Sequence, residues 1–216
     1  MKVGTDGCLL GGWFNCEGSK RILDIGCGTG LIAIMAAQRC DADITGVEID
    51  SKAALQARKN ADSSPWGERI EIVNCDLLEY NTGARFDTIV SNPPYFVNSL
   101  KCDNTSRTLA RHSDTLDCRM FFKKCVDILS REGRVSIVIP CDIMEEWAAA
   151  AMEQDLYPTR ITLIKTTPKK SPKRALIEFS FNKQNSTEES TLILEESPGE
   201  YSCDAKKILS SFYLKL

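Results

Sequence analysis

Short apolar runs alternate with segments of helical periodicity along most of the chain, from residue 21 onward. The apolar runs predict strands at 21–25, 44–48, 70–73, 86–90, 135–139, 159–164 and 175–181. The segments between them predict helices at 30–39, 51–61 and 117–129, and one more that Asp142 caps and that runs to about residue 154. Alternating strands and helices indicate an α/β fold with a mostly parallel sheet and right-handed crossovers. Ligands of such sheets bind at the carboxyl ends of the strands, so the functional candidates lie just after strands.

Two segments depart from this pattern. Residues 184–190 are polar and predict a loop. Residues 165–174 carry five basic residues and two prolines, which predict an extended and exposed basic loop. Most charge runs of this kind are solvated surfaces, but the run can also contact the phosphate backbone of a nucleic acid. Its basic residues are Lys165, Lys169, Lys170, Lys173 and Arg174.

Composition narrows the class of protein only moderately. The length of 216 residues suits one domain, and the net charge of −3 neither requires nor excludes a nucleic-acid partner. The ten cysteines form no Cys-x-x-Cys pair, and a single histidine, His112, cannot complete a zinc site with them. We therefore expect a reduced, cytoplasmic protein without a metal. Residues 1–7 lack the apolar stretch of a signal peptide, and the apolar run at 31–37 is too short to span a membrane.

A glycine-rich loop follows the first predicted strand and opens a helix. Glycines occupy positions 26, 28 and 30, after the acidic residue Asp24. Leu31 stands where the nicotinamide fingerprint needs its last glycine, so a nicotinamide dinucleotide is not favoured. The compact Gly-x-Gly-x-Gly form after an acidic residue is typical of S-adenosylmethionine sites, where carboxylates suit a cationic ligand. We expect Asp24 to hold the ammonium group through water, although a glycine-rich turn can also occur without a ligand.

Acidic residues also follow the next two predicted strands. Glu48 lies 18 positions beyond Gly30, where a carboxylate can accept hydrogen bonds from both ribose hydroxyls. Asp76 follows the third strand and is placed to accept from the adenine amine, with the Leu77 amide near the ring. The candidate cofactor-binding residues at these positions are Asp24, Gly26, Gly28, Gly30, Glu48, Ile49, Asp76 and Leu77.

The segment Asn92-Pro93-Pro94-Tyr95 follows the fourth predicted strand. An amine conjugated to a ring is a poor nucleophile, and acceptors for its hydrogens help its nitrogen to become pyramidal. The Asn92 side-chain oxygen and the Pro93 carbonyl can supply these acceptors, and consecutive prolines stiffen the turn. Tyr95 offers a ring on which an unpaired base can stack. Asn-Pro and Pro-Pro also form purely structural turns, so the position after a strand beside the glycine loop carries the argument.

Together these residues resemble class I methyltransferases with an Asn-Pro-Pro-Tyr motif, and more closely the bacterial tRNA1(Val) (adenine-37-N6)-methyltransferase family. The likeness extends to residues 1–7, to Ser64-Pro65-Trp66, to Phe96 after the motif, to Ala110-Arg111-His112 and to Pro172-Lys173-Arg174. It implies a Rossmann-like, doubly wound, mostly parallel sheet of seven strands with an antiparallel last strand. It also implies N6-methylation of the tRNA adenine directly 3′ of the anticodon, with S-adenosylmethionine as cofactor and tRNA as partner.

The resemblance implies roles for further residues. Thr5 and Asp6 would close over the methionine end of the cofactor, beside Asn92, which contacts both ligands. Phe96 would join Tyr95 at the substrate. Arg107, Arg111 and His112 would contact RNA or order the loop after the catalytic motif. Lys169, Lys170, Lys173 and Arg174 would contact the RNA backbone.

The same resemblance predicts how the whole chain is divided. We expect one methyltransferase domain over 1–216 and a monomer. Residues 1–20 would form the cofactor-closing segment. Family members usually have a short stretch before it, so the start of this chain is expected to be truncated or misassigned. Residues 21–140 would form the cofactor-binding and catalytic core. Residues 141–216 would complete the sheet and carry the basic loop.

Four alternatives remain open at the level of sequence. Asn-Pro-Pro-Tyr also serves enzymes that methylate a glutamine side chain of a protein, although these usually carry a helical N-terminal domain. Guanine-N2 methylation of ribosomal RNA uses related enzymes, and DNA adenine methylation would call for a target-recognition domain. A non-catalytic RNA-binding module is the alternative from a different class, and the intact Asn92 and glycine loop argue against it.

Overall fold

The computed structural model describes residues 4–94, 117–197 and 199–213. Its helices are α1 (Thr5–Trp13), α2 (Leu31–Arg39), α3 (Ser51–Asp62), α4 (Cys118–Ile128), α5 (Met144–Met152) and α6 (Cys203–Leu209). Its strands are β1 (Arg21–Ile25), β2 (Asp43–Glu48), β3 (Ile70–Asn74), β4 (Phe86–Ser91), β5 (Leu129–Pro140), β6 (Tyr157–Lys165), β7 (Arg174–Ser180), β8 (Glu188–Ile193), β9 (Glu195–Ser197) and β10 (Glu200–Tyr201).

The main sheet has the strand order β3-β2-β1-β4-β5-β7-β6-β8. The first five strands in that order are parallel, and β7 runs antiparallel to both of its neighbours, β5 and β6. The chain therefore has the expected doubly wound α/β fold, with β1 and β4 side by side at its centre. The polypeptide reverses the strand order between them, which creates the crevice where such sheets bind ligands.

The described sheet has eight strands rather than the expected seven. The additional strand is β8, which pairs in parallel with β6 and includes residues 188–190, predicted as loop. Its first four side chains are exposed because it lies at the sheet edge, so its sequence lacks the apolar run of an internal strand. The strand forms because its backbone pairs with β6, and the pattern of hydrophobic residues in the sequence does not predict such a contact.

Two hydrophobic cores cover the two faces of the sheet. One core includes residues of α1, α2, α3 and α6, and the other includes residues of α4 and α5. The second core contains an aromatic cluster in which the rings of Phe121, Phe122, Trp147 and Phe179 make successive contacts, with centroids 5.1 to 5.9 Å apart. None of the helices in the described part of the chain is long and apolar enough to cross a membrane.

The helix α1 lies in the segment expected to close over the cofactor, and its sequence pattern gave no sign of a helix. Six of its nine residues are buried, so it is apolar on nearly every side. Gly7 lies against Leu31, and Gly11 lies against Met35, one helical turn further along both helices. The two helices α1 and α2 are therefore parallel, and both begin at the edge of the sheet where the glycine loop lies.

The start of α5 differs from the prediction. Asp142 does not cap this helix, because it lies inside a short 3-10 turn over Cys141–Ile143. The helix begins at Met144, after Ile143, whose side chain makes no capping hydrogen bond. The capping argument holds elsewhere, since Asp50 caps α3 and Asp117 caps α4 through their side chains.

The antiparallel direction of β7 determines where the basic loop lies. A parallel β6 followed by an antiparallel β7 makes a hairpin whose connection leaves the sheet at its carboxyl edge. The backbone amide of Lys173 donates to the Ile164 carbonyl at 3.0 Å and closes this connection. Residues 168–171 between the strands are exposed, as the basic run predicted. The loop thus lies at the same edge as the glycine loop and the end of β4.

Candidate active site

The carboxyl ends of four neighbouring strands bring the predicted cofactor and catalytic residues to one edge of the sheet. Ile25 of β1 pairs with Val47 of β2 on one side and with Ser91 of β4 on the other. Glu48, the last residue of β2, pairs with Asn74 of β3. The glycine loop, the two acidic turns and Asn92 therefore leave the sheet side by side, as the sequence predicted for parallel strands.

The glycine loop has a backbone conformation that residues with side chains rarely adopt. Gly26, Gly28 and Gly30 all have positive φ, at 66°, 57° and 82°. The amides of Gly26 and Cys27 donate to the Val47 carbonyl, and the Asn60 side chain donates to the Thr29 carbonyl at 2.8 Å. These bonds fix the loop from β2 on one side and from α3 on the other.

Asp24 lies beneath this loop and is completely buried. Its Oδ2 accepts a hydrogen bond from the Ala33 amide at 3.0 Å, whereas its Oδ1 has no hydrogen-bond partner among the described residues. Burial raises the pKa of Asp24 to about 8, and the negative charge of Glu48 adds to the effect. A buried carboxyl oxygen without a partner is costly, and a cationic ligand group would relieve that cost.

Glu48 is held by the backbone on both sides. Its Oε2 accepts from the Gly28 amide at 2.8 Å, and its Oε1 accepts from the Asp50 amide at 2.9 Å. Each carboxylate oxygen has a further lone pair, so the fixed side chain can still accept two hydroxyl hydrogens. Two hydroxyls of a ribose match this arrangement.

Asn74 is a site residue that sequence reasoning missed. Its side-chain amide donates to the carbonyls of Glu48 at 2.8 Å and of Ile49 at 3.1 Å. It thereby fixes the turn after β2, where Ile49 leaves 67% of its surface exposed. The signal available in the sequence was a polar residue at the end of a strand, directly before Cys75 and Asp76.

The third strand ends in a turn that Asp76 stabilises. Its Oδ1 accepts a hydrogen bond from the Leu78 amide at 2.8 Å, while the side chain of Leu77 is buried in the core below. The two predicted contacts of this turn therefore differ in character. Asp76 presents a partly exposed carboxylate beside an anchored backbone, and Leu77 can contribute only backbone atoms at the surface.

Asn92 leaves the sheet directly after β4. The preceding residue, Ser91, is fully buried, and its hydroxyl donates to the Ile25 carbonyl at 2.8 Å. This bond joins the end of β4 to the end of β1, so it fixes the position of Asn92 relative to the glycine loop. Asn92 is half-buried, Pro93 is buried and Pro94 is exposed. Ser91 begins the segment that carries the family resemblance, but sequence reasoning gave it no role, because a serine at the end of an apolar strand does not show what it bonds to.

The start of α1 reaches this position. A Cβ atom on Gly7 would lie 4.0 Å from the Asn92 side-chain nitrogen and 3.4 Å from Leu31. Thr5 is exposed at the beginning of the helix, and Asp6 is half-buried there. The segment expected to close over the cofactor is therefore a helix that abuts the catalytic candidate.

The basic loop divides into two kinds of residue. Lys169, Lys170 and Lys173 are exposed. Arg174 instead forms an ion pair with Asp6, with 2.9 Å between Nε and Oδ2. The remaining predicted substrate contacts lie outside the described residues; they are Tyr95, Phe96, Arg107, Arg111 and His112.

The nine described cysteines are free thiols and belong mainly to the cores. Burial raises the pKa of Cys27, which lies next to the glycine loop, and the charges of Asp24 and Glu48 raise it further. This thiol is therefore protonated at neutral pH, and it packs as a small apolar group. Although Cys27 lies near the site, its protonated thiol is not suited to act as a nucleophile.

The fold has counterparts among methyltransferases of known structure. A predicted O-methyltransferase from Agrobacterium tumefaciens superposes with a TM-score of 0.73 at 20% identity, covering 95% of this chain and 96% of that one. The glycopeptide N-methyltransferase MtfA in complex with S-adenosylmethionine gives a TM-score of 0.63 at 12% identity, covering 84% and 100%. The chain thus has the Rossmann-like fold of class I S-adenosylmethionine-dependent methyltransferases.

Sequence relatives specify the class further. The methyltransferase small domain family matches residues 7–156. A tRNA1(Val) (adenine(37)-N6)-methyltransferase of Bacteroides fragilis is 49% identical over the whole chain and 92% of the relative's length. The enzyme of that name from Aliivibrio fischeri is 41% identical, with the same coverage of 100% and 92%. The chain belongs to the tRNA1(Val) (adenine(37)-N6)-methyltransferase family, as its N-terminal and Asn-Pro-Pro-Tyr segments predicted.

Proposed function

We propose that this protein transfers a methyl group from S-adenosylmethionine to N6 of adenine 37 in tRNA1(Val). The observation that carries the proposal is the position of Asn92. It follows β4, is tied by Ser91 to the strand that opens the glycine loop, and lies in a chain 49% identical to a relative named for this reaction. The alternative functions share this chemistry and differ in which planar nitrogen receives the methyl group, so the test must compare these nitrogens.

The residues present fit the cofactor. The unpartnered Oδ1 of Asp24 suits a cationic ammonium group, reached directly or through a water molecule. Glu48 is fixed by two amides and suits the ribose hydroxyls, and Asp76 suits the adenine amine. Ile49, largely exposed beside Glu48, offers apolar surface to the adenine ring. When bound, S-adenosylmethionine supplies an electrophilic methyl group.

The chain's own contribution to the reaction is orientation and hydrogen bonding. The Asn92 side-chain oxygen and the Pro93 carbonyl accept the two hydrogens of the adenine amine. As the nitrogen becomes pyramidal and gains positive charge, these hydrogen bonds strengthen, so they stabilise the transition state more than the ground state. Buried Pro93 and the Ser91 bond to β1 keep the acceptors in place without reorganisation. No strong base is needed for the attack, because the nitrogen gives up its proton, to water, only after it has gained positive charge.

Binding of RNA is assigned to the exposed lysines of the basic loop and to the segment after Pro94. Lys169, Lys170 and Lys173 lie at the active edge of the sheet and can contact phosphates without sequence preference. Tyr95 and Phe96 would stack on the target base, and Arg107, Arg111 and His112 would contact RNA or order the loop. We further propose that the chain acts as a single-domain monomer, without a metal, in the cytoplasm, where its tRNA substrate is found.

The decisive experiment is single-turnover methylation of a tRNA1(Val) anticodon stem-loop with labelled S-adenosylmethionine. Matched stem-loops would carry adenine or guanine at position 37, and a release-factor fragment with its target glutamine would serve as the protein substrate. We expect methyl transfer to the adenine stem-loop alone, and N6-methyladenine in the digested product. Preferred methylation of guanine or glutamine, or absence of transfer despite cofactor binding, would contradict the proposal.

A further inference from the structure

The Asp6–Arg174 ion pair joins two segments that the proposed function assigns to different ligands. Asp6 belongs to the helix expected to cover the cofactor, and Arg174 belongs to the loop expected to contact RNA. The two residues are 168 positions apart in sequence, and their side chains are 27% and 30% exposed. A partly buried pair of this kind is screened less by salt than one at the open surface.

The arginine end of the pair is fixed by the sheet. Arg174 is the first residue of β7 and pairs with Pro140 of β5 on one side and Ile164 of β6 on the other. Its Nε donates to Asp6 and its Nη1 donates to the Lys173 carbonyl at 3.1 Å. Arg174 can turn outward to a phosphate only if it breaks bonds that include these two. Among the residues that the structure describes, the exposed side chains of Lys169, Lys170 and Lys173 make no comparable bond.

The aspartate end of the pair is attached to the active site. Asp6 lies in the first turn of α1, one residue before Gly7, which abuts Asn92. The far end of α1 is anchored to β6, because Trp13 donates to the Thr162 hydroxyl at 2.9 Å and the Arg160 guanidinium lies 3.8 Å from its ring centroid. With that end fixed, the ion pair sets the position of the turn beside Asn92.

From this geometry we infer that Arg174 is a positioning residue that couples the cofactor site to the RNA site. The inference rests on the proposed function. Phosphates that bind Lys169, Lys170 and Lys173 restrain the loop in the arrangement in which Arg174 pairs with Asp6, and this pair holds the first turn of α1 beside Asn92. Because coupling is reciprocal, tRNA should tighten cofactor binding, and cofactor should tighten tRNA binding, by the same factor.

The test measures binding of S-adenosylhomocysteine by calorimetry, with and without the anticodon stem-loop. The variants are Arg174→Gln and Asp6→Asn, with Lys173→Gln as the matched control, since it removes the same charge from the neighbouring position. Wild type should bind the cofactor product about fivefold more tightly with RNA, within the usual range of such coupling. Arg174→Gln and Asp6→Asn should weaken RNA-free binding and abolish the RNA effect. Lys173→Gln should weaken RNA binding alone.

Two further variants separate positioning from stability. Arg174→Lys keeps the charge and should retain part of the coupling, and the exchange Asp6→Arg with Arg174→Asp should restore more of it than either single change does. Melting temperatures identify variants that are merely unstable, because lower stability alone does not remove a coupling factor. An Arg174→Gln variant with normal cofactor affinity and normal coupling would overturn the inference and make Arg174 a phosphate contact like Lys173. Failure of wild type to bind S-adenosylhomocysteine at all would instead refute the proposed function.

Discussion

Single residues at this site are held by partners that come from other strands and helices. Asp24, Glu48 and Asn92 each follow or lie near the end of a strand. Asp24 accepts from the Ala33 amide of α2, Glu48 accepts from the Gly28 amide of the glycine loop, and Ser91, the residue before Asn92, donates to the Ile25 carbonyl of β1. The protein itself therefore holds these groups in place, which lowers the reorganisation required during catalysis. Because the surrounding structure keeps its shape, the effect of a single substitution can be assigned to the chemical group that it removes.

Asn92→Ala tests the chemical step. The substitution removes one oriented acceptor, and a comparable loss of an oxyanion-hole donor costs about 10²–10³-fold in turnover. We expect a loss of this size in the single-turnover rate, with S-adenosylhomocysteine affinity changed little. Asn74→Ala is a useful contrast, because Asn74 supports the Glu48 turn and should affect cofactor affinity instead. An Asn92→Ala variant with full activity would remove this residue from the mechanism.

Asp24 gives the folded protein a particular dependence on pH. Its folded pKa of about 8 is above the ordinary value of 3.8, chiefly because of burial. The protonated form therefore stabilises the native state fully below about pH 4, and that contribution is lost progressively as the pH rises through 8. In Asp24→Asn this titration is absent. The difference in unfolding free energy between wild type and variant, measured by urea titration, should shift in favour of the variant between about pH 5 and pH 8. A difference that is constant with pH would refute the assignment.

At the scale of elements, the hydrophobic pattern predicted those parts of the fold that follow a simple period. The strands β1 to β4 and the helices α2 and α3 were placed close to their observed bounds, because they are buried on the expected faces. The helix α1 was missed, since Gly7, Gly11 and Gly12 argue against a helix in isolation. These glycines serve packing against α2 and α6, and that requirement can be seen only when all three helices are in place.

The glycines of α1 predict a pair of contrasting substitutions. A Cβ on Gly12 would lie 2.5 Å from the Ile208 carbonyl oxygen, and backbone cannot easily move. A Cβ on Gly11 would lie 2.6 Å from the Met35 sulfur, which belongs to a flexible side chain. Alanine gains about 1 kcal/mol in helix propensity, whereas overpacking costs about 1–3 kcal/mol. Gly12→Ala should therefore lower the free energy of unfolding, and Gly11→Ala should lower it less or not at all.

Thermal or urea unfolding of both variants, followed by circular dichroism, measures this difference. The two substitutions are matched in chemistry and in helix position, so their propensity gains cancel in the comparison. If Gly11→Ala proved the more destabilising of the two, the close contact between α1 and α6 would not be the constraint inferred here.

At the scale of the whole molecule, the sequence could predict which strand ends would meet but not which distant side chains would touch. The predicted cofactor-binding residues follow three consecutive strands, and parallel pairing places such strand ends together. The contact between Asp6 and Arg174 depends on the antiparallel β7 and on the position of α1, so it is absent from any local pattern. The edge strand β8 was missed for the related reason that only its pairing with β6 makes it a strand.

The distribution of charge predicts the salt dependence of tRNA binding. Replacing Lys169, Lys170 and Lys173 by glutamine removes three exposed charges from the active edge of the sheet. For each phosphate that no longer has a lysine beside it, the slope of log affinity against log salt should fall by about 0.7–0.9. We expect weaker binding to all tRNAs alike, with little change in the preference for tRNA1(Val).

Filter-binding titrations at several salt concentrations measure this slope. Lys183→Gln is the matched control, because this exposed lysine follows the end of β7, at the opposite edge of the sheet. It should leave the slope unchanged. A triple variant with the slope and affinity of wild type would identify the loop as a solvated surface.

The hairpin that carries this loop has a consequence for how such enzymes diversify. The connection begins on β6 and ends on β7, and the bond from Lys173 to Ile164 closes it, so its length can change without a shift in the register of the sheet. Insertions and deletions there can reshape the surface proposed to contact RNA while the residues proposed to bind the cofactor, on the other side of β5, keep their positions. Loop transplants between relatives are therefore a practical way to change the strength of tRNA binding, and Arg174, the first residue of β7, is the position at which such a transplant should end.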